Sequence, residues 1–256
     1  MKHLVFGKKD VVMYDSIDEL PVRRFHRWQK MLMMAAGVGA TLADFDSHIE
    51  RVVAFLKNED KDNAIKELEN LRQNVNLMQN EVPLSALAFA ALVKSVDGID
   101  TDDISEDGLQ RTLDMIGEAT MKEVHEAAVS SKKKIDHELT LYFPSIFDDV
   151  ITRQYYDDIK KRTMLILDTI INGESEDKNA NIEKLTETLI MAAKPQVWTG
   201  SKAVDIQQDK AFEDLCLAIS KEFNADAKRF TVLEYYAAQE TLAKIAKERE
   251  KHARKR

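Results

Sequence analysis

The chain has 256 residues, 44% of them hydrophobic and 32% charged, with a formal net charge of −8. That balance can bury a large core and excludes disorder throughout, while the negative sign opposes nonspecific adhesion to nucleic-acid phosphates. Eight glycines and four prolines are too few to punctuate many short strands, so an all-α fold is expected.

At the N-terminus "HLVF" and "VVMY" are short β-type runs separated by "GKKD", which predicts a hairpin within residues 1–15. The stretch "YDSIDELPVRRFHRWQKMLMMAAGVG" follows from Tyr14. Ser16 and Glu19 have capping-box spacing, and Pro21 is tolerated only in the first turn of a helix because it has no N–H to donate. Val22, Phe25, Trp28 and Leu32 then form an apolar stripe, with Arg23, Arg24, Arg27 and Lys30 mostly off it and Gly37 and Gly39 as the stop. His26, beside the stripe, reads as a packing residue.

Leu42, Phe45, Ile49, Val52 and Leu56 predict the apolar face of a second helix. Ile65, Leu68, Leu71, Val75 and Met78 predict that of a third, and the break "KNEDKD" makes the two an αα-hairpin. The run from Pro83 to Val96 is apolar all round and is expected to be a central buried helix. Beyond the acidic loop "DGIDTDDISEDG", helices are expected at Leu109–Ile116, Met121–Phe143 and Val150–Ile171, with a break at Pro144. The polar segment at 172–181 is the expected boundary between a helical bundle at 16–172 and a C-terminal helical region at 182–256. In the latter, Ile182–Ala193 is helical, "KPQVWTGSKAVDIQQD" is a loop, and Phe212, Leu215, Cys216, Ile219 and Phe223 return to helical spacing with Cys216 in the core. The last helix has a capping box at Thr231 and Glu234 and a staple between Phe230 and Tyr235. From Lys244 the tail carries seven basic residues against two glutamates. It is expected to fray and to be the one place where nucleic acid could bind.

Catalytic signatures fail on spacing. "GVGATL" lacks the lysine and hydroxyl of a P-loop, neither G-x-S-x-G nor H-E-x-x-H occurs, and no Glu stands three residues before a histidine in the manner of di-iron bundles. The lone Cys216 forms no internal disulfide and suits a reducing cytoplasm, and the longest apolar run, "LSALAFAALV", is too short to span a bilayer. One partial match remains. Asp103, Ser105, Asp107 and Gly108 take the first, third, fifth and sixth places of an EF-hand loop, with Asp114 where the bidentate glutamate belongs and Gln110 at position eight. The competing reading is that Ser105 or Asp107 caps the helix from Leu109. Asp148–Asp149 and Asp157–Asp158 read as helix termini.

In "YDSIDELPVRRFHRWQKML", "LRQNV", "YFPSIFDD" and "FEDLCLAISKEFNADAKRFTVLEYY" the chain resembles a family of structural and morphogenesis proteins of tailed bacteriophages that infect Bacteroides-type gut bacteria, from about Met13 to about Glu240. The resemblance implies a non-enzymatic role in building the virion, as a tail-assembly chaperone or a virion component in the host cytoplasm or the particle. It implies no cofactor and no site residues, and its partners would be other phage assembly proteins or further copies of the chain. Trp28, Trp198, Tyr235 and Tyr236 are the candidate partner contacts if exposed, against a packing role for each. The alternative is a calcium- or metal-binding module or enzyme centred on Asp103–Asp114.

Overall fold

The structure, a computed structural model, describes residues 1–79, 82–117, 121–147, 150–201 and 203–253. In chain order the elements are β1 (Lys2–Phe6), β2 (Lys9–Met13), α1 (Val22–Gly37), α2 (Leu42–Lys57), α3 (Lys61–Met78), α4 (Leu84–Leu92), β3 (Val93–Val96), β4 (Ile99–Asp100), α5 (Glu106–Ile116), α6 (Met121–Tyr142), the single turn α7 (Pro144–Phe147), α8 (Val150–Asn172), α9 (Glu176–Ala192), α10 (Val204–Phe223), a 3-10 turn at Ala227–Arg229 and α11 (Val232–Ala253). The fold is helical throughout apart from one small sheet. Asp148 and Asp149, and the last three tail residues Arg254, Lys255 and Arg256, lie outside the described residues.

The expected hairpin forms, turning at Gly7 with φ +59, and two further strands extend it to an antiparallel sheet of order β1-β2-β3-β4. Here the sequence reading is corrected. The apolar run from Pro83 is helical only to Leu92, and Val93–Val96 instead pairs with β2 in the register Val11↔Val96 and Val12↔Ser95. Two local causes favour the strand. Val93 and Val96 are β-branched, and Asp97-Gly98 turns with φ of +50 and +78, the two positive values that a tight two-residue hairpin requires. Asp97 also accepts from the Asp10 backbone N–H at 2.9 Å and from Lys9 at 2.8 Å, tying this turn to β2.

The chain folds as two compact units that interleave in sequence: Met1–Ala36 with Asn80–Phe143 and Val204–Arg256, and Gly37–Gln79 with Pro144–Ala203. This differs from the expected division at 172–181. That polar segment holds the turn of the α8–α9 hairpin, and Ser175 caps α9 by accepting from the Lys178 N–H, so α9 starts six residues earlier than expected.

In the first unit the sheet packs on α4, whose residues Ala86 to Leu92 are all buried, with Phe6 and Phe89 edge to face at 6.0 Å. Arg24 is placed inside and not off the stripe. It is 5% exposed and its guanidinium donates to the carbonyls of Val93 at 2.8 Å, Ala91 at 3.3 Å and Thr101. Helices α1 and α11 start together. Val22 N–H donates to Phe230 O and Val232 N–H to Leu20 O, both at 2.9 Å, so each helix satisfies an orphan donor of the other. Ser16 does not form the expected box with Glu19; its hydroxyl donates to Glu138 of α6, which also accepts from Ile17 N–H. The box at Thr231 and Glu234 forms as read. Val22, Cys216, Ile219, Ala227 and Tyr235 make the shared core, with Phe212, Phe230 and Tyr236 packed against it. Burial pushes the Cys216 thiol up to about 11, which leaves it a packing group.

Candidate binding surfaces

In the second unit the α2–α3 hairpin is built the other way round from the sequence reading. Its buried positions are His48, Val52 and Phe55 on α2 and Asn63, Ala64, Glu67, Asn70 and Asn74 on α3. Of the ten residues expected to form the apolar faces, Leu42, Ile49, Leu56, Ile65, Leu68, Val75 and Met78 are exposed, as is the neighbouring Val53. The physical reason is a polar network that only this facing completes. His48 Nδ1 lies 2.6 Å from Glu67 Oε1 and 2.8 Å from Arg51 Nη2, and its Nε2 lies 2.7 Å from Val38 O, so Nε2 donates to the carbonyl while Nδ1 sits between the carboxylate and the guanidinium. Arg51 Nε adds a second donor to Glu67 and Asn74 a second donor to Val38 O. Burial acts to raise the Glu67 carboxyl, but the hydrogen bond from His48 and the adjacent Arg51 outweigh it and hold Glu67 below the ordinary carboxylate range.

Local capping positions this network. Gly39, at φ +67, leads into Thr41, whose hydroxyl accepts from Asp44 N–H while Asp44 accepts from Thr41 N–H, and this box starts α2 with His48 one turn on. The seam is not fully satisfied. Asn70 Oδ1 and Asn74 Oδ1 are buried without a hydrogen-bond partner among the described residues, so the hairpin interior contributes less than an apolar seam would.

Two grooves lie on the outer surface of this unit. One runs between α2 and α9 over Ile49, Val53, Ala54, Ile182 and Ile190, with Arg162 of α8 held by Thr186 at 2.6 Å. The other, of about 610 Å³, runs between α8 and α9 over Met164, Leu165 and Leu185 and is rimmed by Lys160, Lys161 and Lys184. Beyond it α8 exposes Leu167, Ile170 and Ile171, the last two by 74% and 77%. Exposed aliphatic side chains at that density are the sign of a contact surface, because an isolated exposed leucine is ordinary and a cluster is not.

The four aromatic candidates fall elsewhere. Trp28 is 3% exposed and stacks obliquely on Phe25 at 5.6 Å, and Tyr235 is buried against Phe212. Tyr236 is half-buried between Phe25 and Phe143, and burial pushes its hydroxyl up to about 12. Trp198, in the second unit, is buried over Gly37. Trp28, Trp198 and Tyr235 are thus buried and Tyr236 half-buried, in keeping with the packing role that is the competing reading for each: large apolar area is worth more buried. His26 also packs, stacked on Phe212 at 4.2 Å and 2.8 Å from Asp209, which Lys30 also contacts. The network at His48 and Glu67 had no strong sequence signal beyond a histidine and a glutamate at periodic positions.

The acidic candidate loop is not an EF-hand loop. Helix α5 already begins at Glu106, which places Asp107 and Gly108 inside its first turn, and Ser105 is its N-cap, accepting from Gly108 N–H at 3.1 Å. Asp103 is engaged by Ser105 N–H and Arg111, and Asp114 by Gln110 at 2.9 Å. Among the described residues no three His, Cys, Asp or Glu side chains are grouped to hold a metal ion, and no helix is long and apolar enough to cross a membrane. Compared with family models, curated proteins and solved structures, the chain matches none.

Proposed function

We propose that this chain is a non-enzymatic assembly protein of tailed phages that works by binding other proteins through its helices, either as a tail-assembly chaperone or as a component of the virion. The phage assignment rests on the resemblance of the strings from Tyr14, Tyr142 and Phe212. The mode of action rests on one observation: the α2–α3 hairpin of the second unit holds polar groups inside, and it and α8 present aliphatic side chains to solvent. A protein that binds partner helices needs such faces, since the free energy of docking comes mainly from apolar area removed from water. Quantitative mass spectrometry of purified virions separates the two roles. A structural component appears at a fixed copy number per particle. A chaperone is missing from the particle and co-purifies with a virion protein from infected cells. A chain found in neither place, and dispensable for particle formation, overturns the proposal.

A further inference from the structure

We infer that the lysine-rimmed groove between α8 and α9 takes the acidic β3–β4 edge of a second copy of this chain, so that copies associate head to tail. The inference rests on the reading of the second unit as a contact surface and names its partner.

The groove presents two kinds of chemistry. Its floor is aliphatic, with Met164 61% exposed, and its banks are cationic. Lys161 already has an ion-pair partner, Asp158 at 3.0 Å, whereas Lys160 on one bank and Lys184 on the other have no carboxylate partner among the described residues. In a chain of net charge −8, two such ammonium groups flanking apolar side chains select an acidic partner that offers an aliphatic anchor.

The chain itself carries such a partner. At the tip of the sheet Ile99 is 61% exposed, beside the exposed Asp100, and the adjoining loop and first turn of α5 add exposed Glu106 and Asp107. None of these three carboxylates has an ion-pair partner among the described residues, and β4 is the outermost strand of the sheet, so nothing pairs with its far side. Seating Ile99 on Met164 and Leu185 brings Asp100 and the α5 acids toward Lys160 and Lys184. Groove and edge are different surfaces of the chain, so the contact is heterologous: repeated, it closes as a ring or runs on as a filament.

Sedimentation equilibrium on the full chain tests this at low and physiological salt. The expected result is concentration-dependent association that weakens as salt rises, because charges at a solvent-exposed rim are screened within about 8 Å at physiological ionic strength. The double variants K160E/K184E and D100K/E106K, each checked for an unchanged melting curve, should each lose association by about tenfold or more through like-charge contact. Mixing the two should restore it, since the native edge of one then meets the native groove of the other and the reversed pair is complementary again. Wild-type chain that stays monomeric to on the order of 1 mM overturns the inference, as does association that either double variant leaves intact or that mixing fails to restore. A monomeric chain present in virions leaves the assembly proposal standing without this contact, and an associating chain absent from virions and unneeded for their formation keeps the contact and removes the assembly role.

Discussion

Replacing Arg24 by methionine should be the most damaging single change of a charged residue in the first unit. The guanidinium sits at the junction where α4 becomes β3, 5% exposed, over the Tyr14 ring at 5.7 Å and donating to three backbone carbonyls. Burial lowers the affinity of Arg24 for its proton, with Tyr14 and Asp102 opposing, yet an arginine remains charged. Methionine keeps the approximate length and removes every donor. Val93 O retains the Thr101 hydroxyl at 2.7 Å, but the Thr101 and Ala91 carbonyls lose the guanidinium. Losing a donor to a buried acceptor costs about 1–3 kcal/mol, and a bond from a charged donor is worth about 1.5–3 kcal/mol. Counting Thr101 fully and the 3.3 Å bond to Ala91 in part, and offsetting the relief of a buried charge, the net loss is about 3 kcal/mol. The assay is urea unfolding followed by Trp28 fluorescence in a Trp198→Phe background, so that only the first unit reports. With a slope of roughly 2 kcal/mol per molar urea, the midpoint should fall by about 1.5 M. Arg24→Lys, which keeps the charge on a single point donor, should fall between. A midpoint within about 0.3 M of the parent would refute the claim that this side chain holds the junction.

Three further outcomes are expected. Glu67→Gln should destabilise the second unit by roughly 3–5 kcal/mol at neutral pH by leaving Arg51 without its counter-charge and His48 Nδ1 without its carboxylate partner; since the native carboxyl is held below its ordinary value of 4.5, its stabilisation is present above that value and lost as pH falls through the native one, so wild type and variant should converge in acid melts, and parallel pH profiles would contradict this. Gly39→Ala places a Cβ 2.2 Å from Asp44 Cγ at a φ of +67 and should cost about 2–3 kcal/mol by strain plus loss of the α2 cap, read as a lowered melting temperature; an unchanged one would show that the box is not needed. Truncation after Ala246 should remove helical signal, because α11 runs to Ala253 where fraying was expected, yet cost under about 1 kcal/mol, the ion pair it breaks among the described residues being Arg249–Glu222 at 2.7 Å with Arg249 exposed; a larger loss would mean the tail is packed.

Much of the helical framework was legible in the chain because it is written in local chemistry. Pro21 can stand only at a helix start, Thr231 and Glu234 cap each other through side chains three residues apart, and Gly39 accepts a backbone angle other residues avoid. Two further local signals stand in the sequence: Ser175 ahead of Glu176 and Asp177, which starts α9, and Asp97-Gly98, which turns β3 into β4. The candidate surface was not legible, because seven of the ten residues expected inside α2 and α3 are left outside.

What the sequence by itself determined is thus where the chain turns helical, since a cap, a proline or a glycine acts on groups within one turn of itself. Which face of a helix is buried, and whether an apolar run becomes helix or strand, was decided only by tertiary structure. Val93–Val96 is a strand because β2 offers a ladder of donors and acceptors eighty residues upstream. Glu67 and Asn74 are buried because His48, Arg51 and Val38 O meet them there, and the cost of taking a polar group into a core falls when groups distant in sequence supply hydrogen bonds to it.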